Sequence, residues 1–421
     1  MRDVTLRSRK HLIFGITVCL VGALFYCYEF LLRILPGTLQ SELSLAFGHI
    51  SATAFGQLAA LYYFAYSPMQ LPVGMLIDRF GPRRLLSFAC LCCTIGSYLF
   101  MRFDSLWIAG MGRLLVGFGS SFGFVGGLML MVHWLPRRYF SLATGLMTAL
   151  GMCGLMYGGI KITALATVLP LPQVLMLTVF MGAILTLLIF FVVRDAPGET
   201  HIQQQTLRVF FSQVWRVLIS REVWLIGIVG ASLYTSLSVF GELWGKSYLE
   251  QAHNLTKIQA AKGVSAMFLG WAVGAPLGGY LSDRTGRRAA FLIGGAFFAL
   301  LCISAILYFS HLPYAILMIL LFLYGVFSGT EIIAFVMAKE TSGAELSGTV
   351  FAVINMIVTL GGVIFQPLVG YLLDFYSNKA MLTGAVVYTA SDYQRALLVL
   401  PLSLIAVIVI GFFLKDTCRL K

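Results

Sequence analysis

The chain has 421 residues, of which 59% are hydrophobic and 11% are charged, and its mean hydropathy is +0.90. A soluble protein of this composition would precipitate, so the sequence indicates an integral membrane protein. The net charge of +12 comes from Lys and Arg spread over many short segments, which argues against nucleic-acid binding and favours contact with anionic lipid of the bilayer.

Apolar segments repeatedly reach the roughly 20 residues that a helix needs to cross a bilayer, and none alternates like a barrel strand. The sequence predicts spanning helices near residues 12–35, 52–77, 85–102, 106–133, 139–163, 172–193, 223–247, 259–282, 289–309, 313–337, 347–374 and 396–414. We therefore predict an all-α integral membrane protein of twelve transmembrane helices. It would comprise an N-terminal six-helix bundle (1–194), a cytoplasmic linker (195–221) and a C-terminal six-helix bundle (222–421).

Most Lys and Arg residues fall in alternate loops, and basic residues collect in cytoplasmic loops. This alternation predicts that both termini are cytoplasmic. The basic N-terminal segment is interpreted as the start of a retained first helix, because no small-residue cleavage site follows it. Short loops and tails favour the inner membrane of a bacterium, with an organellar membrane as the alternative. We expect a monomer.

Seven of the eight cysteines lie in predicted spans, where a thiol acts as a small apolar side chain. The sequence contains no Walker-type phosphate loop and no cysteine and histidine spacing typical of a metal site. No nucleophile with its base can be assembled from the intramembrane residues either. We therefore expect no cofactor, no metal and no enzymatic activity.

Ionisable residues within the spans are the first candidates for a binding site, since a charge in the bilayer is costly. Glu29 and Arg33 are four residues apart in helix one, and Glu242 and Lys246 repeat that spacing in helix seven. Each pair would share one helix face and form a local ion pair. These four residues are candidates for substrate binding. The alternative is that each pair only neutralises itself near the outer interface, with Lys246 reaching towards water.

Polar side chains in three other spans are further candidates. Tyr62, Tyr66 and Gln70 share one face of helix two and are more polar than lipid contact requires, although aromatic stripes are usually packing. Asn355 in helix eleven could serve similarly. Glu331 in helix ten has no evident basic neighbour in the sequence, so it is a candidate for proton binding.

One motif occurs twice, as GMLIDRFGPRR at 74–84 and as GYLSDRTGRR at 279–288. Both copies fit the pattern G-x-L-x-D-R-x-G-x-R, and each follows a long apolar segment. Duplication of a membrane-embedded unit explains this repeat most simply.

Twelve helices in two halves, with this signature after helices two and eight, resemble the major facilitator superfamily. The resemblance implies that the signature forms a cytoplasmic gate, in which acid and guanidinium groups make contacts in one conformation and release them in another. Plain orienting charges would explain one copy but not two. The predicted gate residues are Gly74, Asp78, Arg79, Gly81, Arg83, Arg84, Gly279, Asp283, Arg284, Gly286 and Arg288. Pro82 stands where the family usually has a basic residue.

Helix four carries a second feature of the family, an arginine followed by spaced glycines, here Arg113, Gly117 and Gly119. We expect a role in conformational change or proton coupling for Arg113, with a structural ion pair as the alternative.

The segment 154–159 lacks the proline of the family's antiporter signature, which makes drug antiport a less favoured function. The stretches FYCYEFLLRILPG and YYFAYSPMQLPVGMLIDRFGPRRLL are most similar to phagosomal amino-acid and nucleoside importers of intracellular bacteria and, more distantly, to lysosomal carriers of small peptides.

These observations predict a secondary-active transporter working by alternating access, with proton-coupled import of a small polar nutrient such as an amino acid or short peptide. The predicted substrate-binding residues are Glu29, Arg33, Tyr62, Tyr66, Gln70, Glu242, Lys246 and Asn355. The predicted proton-coupling residues are Glu29, Arg113 and Glu331. Facilitated diffusion, export of a siderophore, drug or other bulky metabolite, and a transporter-fold sensor are the alternatives.

Overall fold

The computed structural model describes residues 2–194, 207–309, 311–342, 346–377, 381–382, 385–386, 388–414 and 416. The helices before residue 195 are α1 (Arg2–Thr38), α2 (Gln40–Ala46), α3 (Ala52–Met69), α4 (Val73–Phe80), α5 (Pro82–Phe100), α6 (Leu106–Ser120), α7 (Gly123–Trp134), α8 (Phe140–Ala166) and α9 (Leu171–Val192). Those that follow are α10 (Leu207–Leu218), α11 (Arg221–Thr235), α12 (Gly245–Ala252), α13 (Lys257–Thr285), α14 (Arg288–Tyr308), α15 (Tyr314–Ser328), α16 (Ile332–Ser342), α17 (Ser347–Tyr376), α18 (Ala390–Ala396) and α19 (Val399–Gly411).

Shorter elements complete the fold. Residues Arg137–Tyr139 and Gly329–Glu331 form 3₁₀ turns, and Ser236–Trp244 form a π-helix that joins α11 to α12. Two antiparallel strands, β1 (Met381–Leu382) and β2 (Ala385–Val386), make a small hairpin after α17.

Within the described ranges, eleven helical segments are long and apolar enough to cross a membrane. The segment formed by α3 and α4 supplies the remaining predicted span, and the prediction of an all-α fold with twelve spanning helices is confirmed. Several predicted spans are interrupted where the sequence analysis expected continuous helices. Between α3 and α4 the interruption follows from Pro68 and Pro72, because proline removes a backbone donor and crowds the preceding turn.

The two halves of the chain meet chiefly along two helix pairs, α3 with α17 and α8 with α13. Within the first half, α1 packs against α7, α8 and α9, and within the second half α11 packs against α16, α17 and α19. Part of the predicted linker, 195–206, lies outside the described residues, whereas 207–218 form α10, which packs against α17. The division at 195–221 stays a prediction.

Glycines allow α13 and α15 to approach until their backbones touch. A Cβ atom at Gly270 would overlap the carbonyl oxygen of Phe322, and one at Gly325 would overlap that of Met267. We expect Gly270→Leu to destabilise the protein by about 3 kcal/mol or more, since the colliding atoms belong to the backbone and cannot rotate away. A thermal unfolding midpoint measured in detergent tests this prediction. Gly145→Leu, at a position with open space around it, is the matched control and should leave the midpoint unchanged.

Candidate functional site

A cluster of charged and tyrosine side chains lies between the two halves. This central cluster consists of Glu29 and Arg33 from α1, Tyr62 and Tyr63 from α3, Tyr234 from α11, and Glu242 from the π-helix. The side chains of Glu29, Arg33 and Glu242 are 0%, 5% and 3% exposed. Charges buried this deeply are tolerated only when they are paired with one another and hydrogen-bonded.

Arg33 is the hub of the central cluster. Its Nη2 lies 3.1 Å from Glu29 Oε2, its Nε donates to the Tyr62 hydroxyl at 3.0 Å, and its Nη1 donates to the Tyr234 hydroxyl at 3.1 Å. The same Nη1 lies 4.0 Å from Glu242 Oε1. Because Tyr234 and Glu242 belong to the second half, the guanidinium group joins the two halves electrostatically.

Both carboxylates of the central cluster also accept hydrogen bonds from tyrosines of α3. Tyr62 donates to Glu29 Oε2 at 3.0 Å, and Tyr63 donates to Glu242 Oε2 at 2.5 Å. The Tyr63 contact again crosses between the halves. The two acids thus share Arg33 as their basic partner, and each has a tyrosine partner of its own.

The predicted local pair of Glu242 with Lys246 is wrong, whereas the pair of Glu29 with Arg33 is present. Lys246 instead lies 3.0 Å from Glu250, one turn further along α12. The reason is local: Glu242 lies in a π-helix that ends at Trp244, and the wider π turn removes the shared face that a spacing of four gives in an α-helix. Glu242 therefore turns towards Arg33.

Arg113 of α6 lies buried beside the central cluster, with its guanidinium carbon 5.2 Å from the centre of the Tyr62 ring. Its Nη1 donates to the carbonyl oxygen of Leu32 at 3.0 Å, while its Nε has no hydrogen-bond partner in the described ranges. A buried guanidinium with an unused donor can bind a further acceptor. The structural ion pair considered for Arg113 is absent from its contacts in the described part of the chain, which are with carbonyls and rings.

The other predicted polar residues lie around the central cluster. Tyr66 stacks on Tyr62 with ring centres 5.5 Å apart, and the Arg33 guanidinium carbon lies 5.0 Å from the Tyr66 ring. Gln70, one turn further along, accepts a hydrogen bond from the Asn355 amide at 2.8 Å. Gln70 and Asn355 thus bind each other across the two halves.

Glu331 lies in the 3₁₀ turn between α15 and α16. It is buried, and its Oε2 has no hydrogen-bond partner within the part of the chain that the structure describes. The indole of Trp271 and the Tyr234 ring lie near it, so Glu331 adjoins the central cluster without an ion pair of its own among the described residues.

A second set of contacts joins the halves at the end of α3 that faces α2. Asp374, in the last turn of α17, accepts hydrogen bonds from the backbone amides of Ala52 and Thr53 at 3.1 and 2.8 Å and from the Thr53 hydroxyl at 2.5 Å. Tyr388 donates to the same carboxylate at 2.5 Å. An acid from one half therefore caps the positive end of a helix in the other half. We call this set of four residues the Asp374 latch.

Further cross-half contacts lie close to the Asp374 latch. Gln40 accepts a hydrogen bond from Ser247 at 2.6 Å, and Lys257 lies 2.5 Å from Glu42. Burial by itself would raise the pKa of Glu42, but the hydrogen bond from Lys257 holds that pKa below its ordinary value. The Lys257–Glu42 contact therefore holds at neutral pH and weakens as the pH falls through the lowered pKa of Glu42.

A family model described as "Major Facilitator Superfamily" matches residues 14–365. The chain belongs to the Major Facilitator Superfamily. The twelve spans, the repeated motif and the cluster between the two halves are therefore features of a superfamily transporter.

Individual relatives span nearly the whole chain. The probable sulfoacetate transporter SauU of Cupriavidus necator is 23% identical, over 90% of this chain and 91% of its own length. The lysosomal dipeptide transporter MFSD1 of Danio rerio is 24% identical, over 85% of this chain and 80% of its own. A crystal structure of a bacterial homologue of the human lysosomal transporter Spinster has a TM-score of 0.75 with 16% identity and covers 95% of each chain, so it shares the Major Facilitator fold.

In this Major Facilitator chain both signature copies make ordered contacts. Arg83 donates to the carbonyl oxygen of Phe190 at 3.1 and 2.9 Å, which ties the start of α5 to the end of α9. In the second copy Arg288 pairs with Asp283 and, at 2.8 Å, with Glu340 of α16. Each of these contacts lies within one half of the transporter.

The remaining signature residues lie on turns or on the surface. Gly81 and Gly286 have φ angles of 79° and 69°, in the left-handed region that favours glycine, and end α4 and α13. The side chains exposed to solvent or lipid are those of Asp78, Arg79, Arg84 and Arg284. Gly74 and Gly279 have open space where a Cβ would lie. The role of these residues as a gate stays a prediction.

Sequence reasoning missed several residues that hold the halves together. Tyr63 lies off the helix face shared by Tyr62 and Tyr66, so the sequence does not predict it as a binding residue. In the structure it donates a hydrogen bond to Glu242 from the other half. Tyr234 and the residues of the Asp374 latch were not predicted at all. A second tyrosine directly after Tyr62 was the available signal for Tyr63, whereas the latch depends on residues more than 300 positions apart in the chain.

Proposed function

We propose that the protein is a proton-coupled importer of a small nutrient that carries a carboxylate together with an ammonium or hydroxyl group, such as an amino acid or short peptide. One observation supports this most directly: Arg33 and Glu242 lie opposite each other, on different halves, 4.0 Å apart. A zwitterion would present its carboxylate to Arg33 and its ammonium group to Glu242. Binding would then replace a contact within the protein by two contacts with substrate.

The relatives favour the same chemical class. The names of the relatives refer to sulfoacetate, to a dipeptide and, for a protein of Escherichia coli that is 22% identical, to D-galactonate. Each of these is a small polar molecule with an acid group, and Arg33 and Arg113 are the groups that would bind such an acid. The likeness of the sequence to phagosomal nutrient importers supports amino acids within this class. Export of a siderophore, drug or other bulky metabolite is the alternative, and the test below distinguishes it from import.

The contacts between the halves support an inward-facing state. The Asp374 latch and the contacts of Gln40 and Glu42 close one end of the interface, and the positive-inside pattern assigns that end to the outer side. Transport would then require these contacts to break and the gate motifs to close the cytoplasmic end. We propose that the protein works as a monomer in the bacterial inner membrane, with both termini cytoplasmic.

Uptake by proteoliposomes with purified protein tests this function. A panel of labelled amino acids, dipeptides, nucleosides, sugars and organic acids would be ranked first by thermal stabilisation, since ligand at 100 times its dissociation constant adds about 2.7 kcal/mol to the folded state. We expect hits among zwitterions or hydroxy acids, and uptake that rises when the outside is more acidic than the lumen. Stabilisation only by bulky apolar compounds, or uptake indifferent to the proton gradient, would contradict the proposal.

Glu331 is the residue to which we assign proton coupling, because its carboxylate is buried without an ion pair to any described residue, while Glu29 is held by Arg33 and Tyr62. Glu331→Gln fixes the neutral state, so it should abolish accumulation driven by a proton gradient but leave exchange of labelled for unlabelled substrate intact. Counterflow and gradient-driven uptake, measured on the same vesicles, separate the two activities. Glu222→Gln, which alters an exposed acid, is the control. Retained gradient-driven accumulation in Glu331→Gln would assign the proton to another residue.

A further inference from the structure

An apolar groove opens on the second half of the transporter, away from the central cluster. Although α13 and α14 follow each other in the chain, both pack on α15 and touch each other little. The cavity between them measures about 420 Å³, a volume typical of small-molecule sites. Its walls are Leu277 and Leu281 of α13 and Phe291 and Phe298 of α14, and the backbone of Gly294 leaves the middle open.

One end of this groove is positively charged. Arg287, the residue before α14, lines the groove and is exposed, whereas the adjacent Arg288 is buried against Asp283 and Glu340. The first turn of the 21-residue helix α14 adds the positive end of the helix dipole. The amide of Ala289 there already donates to the Asp416 carboxylate at 2.8 Å, so this helix end does accept a negatively charged group. Arg287 is the charge on the groove side.

We propose that this groove binds one anionic phospholipid of the cytoplasmic leaflet. An acyl chain would lie between Leu281 and Phe298, and the phosphate would contact Arg287. The groove matches such a lipid, because its apolar walls extend over several turns of α13 and end at the positive charge of Arg287. Under the orientation proposed above, the loop that carries Arg287 lies at the cytoplasmic surface, where anionic lipid headgroups are found. The inference is independent of the transported substrate.

Native mass spectrometry of the delipidated protein, titrated with phosphatidylglycerol or phosphatidylcholine, tests this inference. We expect the wild-type protein to retain phosphatidylglycerol preferentially. Arg287→Gln should weaken that binding about fivefold, which corresponds to about 1 kcal/mol for a basic residue beside an anionic headgroup. Gly294→Leu should reduce the binding of both lipids, because a Cβ at Gly294 has open space around it and the rest of the side chain would occupy the groove.

Two matched variants serve as controls. Arg284→Gln removes a neighbouring exposed arginine that does not line the groove, and Gly145→Leu adds the same side chain at an open position in the first half. Both should bind phosphatidylglycerol like the wild type. Arg287→Lys should keep most of the preference and provides a folded reference if Arg287→Gln is unstable. The proposal is overturned if Arg287→Gln and Gly294→Leu bind lipid normally, or if Gly294→Leu instead dissolves a dimer, which would make a second copy the occupant.

Discussion

Replacing Arg33 by Gln is expected to reduce transport at least about 100-fold while the protein still inserts into the membrane. Arg33 is the partner of two buried carboxylates, Glu29 at 3.1 Å and Glu242 at 4.0 Å, and leaving a buried charge unpaired costs about 3–5 kcal/mol. The substrate carboxylate would lose its main ligand at the same time. Initial uptake rates in proteoliposomes, normalised to the amount of inserted protein, measure the effect.

The geometry of Arg33 makes the conservative variant informative as well. The planar guanidinium group of Arg33 donates to Tyr62 in one half and to Tyr234 in the other. The ammonium group of a lysine has no such planar arrangement of donors and cannot make both contacts. Arg33→Lys should therefore keep the protein stable but remain far below the wild-type rate. Arg102→Gln, which removes a surface ion pair with Asp104 that contributes little, is the control with normal transport.

A double-mutant cycle on Arg33 and Glu242 separates binding from stability. If Arg33 binds the substrate together with Glu242, the variant with both residues changed to Gln should regain part of the lost stability, because only Glu29 is left without its arginine, but it should not regain transport. Near wild-type transport by Arg33→Gln, or by the double variant, would show that the central cluster only holds the halves together.

Neutralising Asp374 is expected to open the outer end of the interface. The Asp374→Asn variant loses the negative charge that caps α3, together with acceptors for the Thr53 amide and hydroxyl. Hydrogen bonds to charged groups contribute about 1.5–3 kcal/mol each, so the closed state should lose a factor of about ten or more in population. Thr38→Cys, introduced at a buried position of the outer interface, reports this change through faster labelling by a membrane-impermeant maleimide.

Two comparisons make this experiment specific. Asp392 caps α18 from within its own half, through Thr389, so Asp392→Asn alters the same chemistry without touching the contact between halves and should leave labelling unchanged. Glu42→Gln removes a partly exposed ion pair with Lys257 and should have a smaller effect than Asp374→Asn. Equal labelling of Asp374→Asn and its parent would show that the Asp374 latch does not control access.

The central cluster and the Asp374 latch both join the two halves of the transporter. Arg33 is paired with acids from both halves, so its guanidinium group is not a bare charge within the membrane. The Asp374 latch would add an energy difference that favours closure of the end of the interface at which it lies. Substrate would weaken the first set of contacts by competing for Arg33 and Glu242, which couples binding to motion of the halves.

The sequence by itself determined the membrane class, the twelve spans, the superfamily resemblance and the pairing of Glu29 with Arg33. These depend on local quantities: the length of an apolar segment, the spacing within one α-helix, and a motif of adjacent residues. The spans expected near 52–77 and 313–337 were found but are interrupted, because turns at proline and at Gly329–Glu331 alter the helix without changing its hydropathy.

Only the tertiary structure decided which residues meet across the two halves. Glu242 reaches Arg33 instead of Lys246 because a π-helical segment shifts its direction, and the sequence shows no sign of that segment. Asp374 caps α3 because α17 ends beside the start of α3. The hydrogen bond from the Ala52 amide to Asp374 joins residues that are 322 positions apart in the chain. Contacts of this kind depend on how whole helices pack, and packing sums many weak interactions that no spacing along the chain encodes.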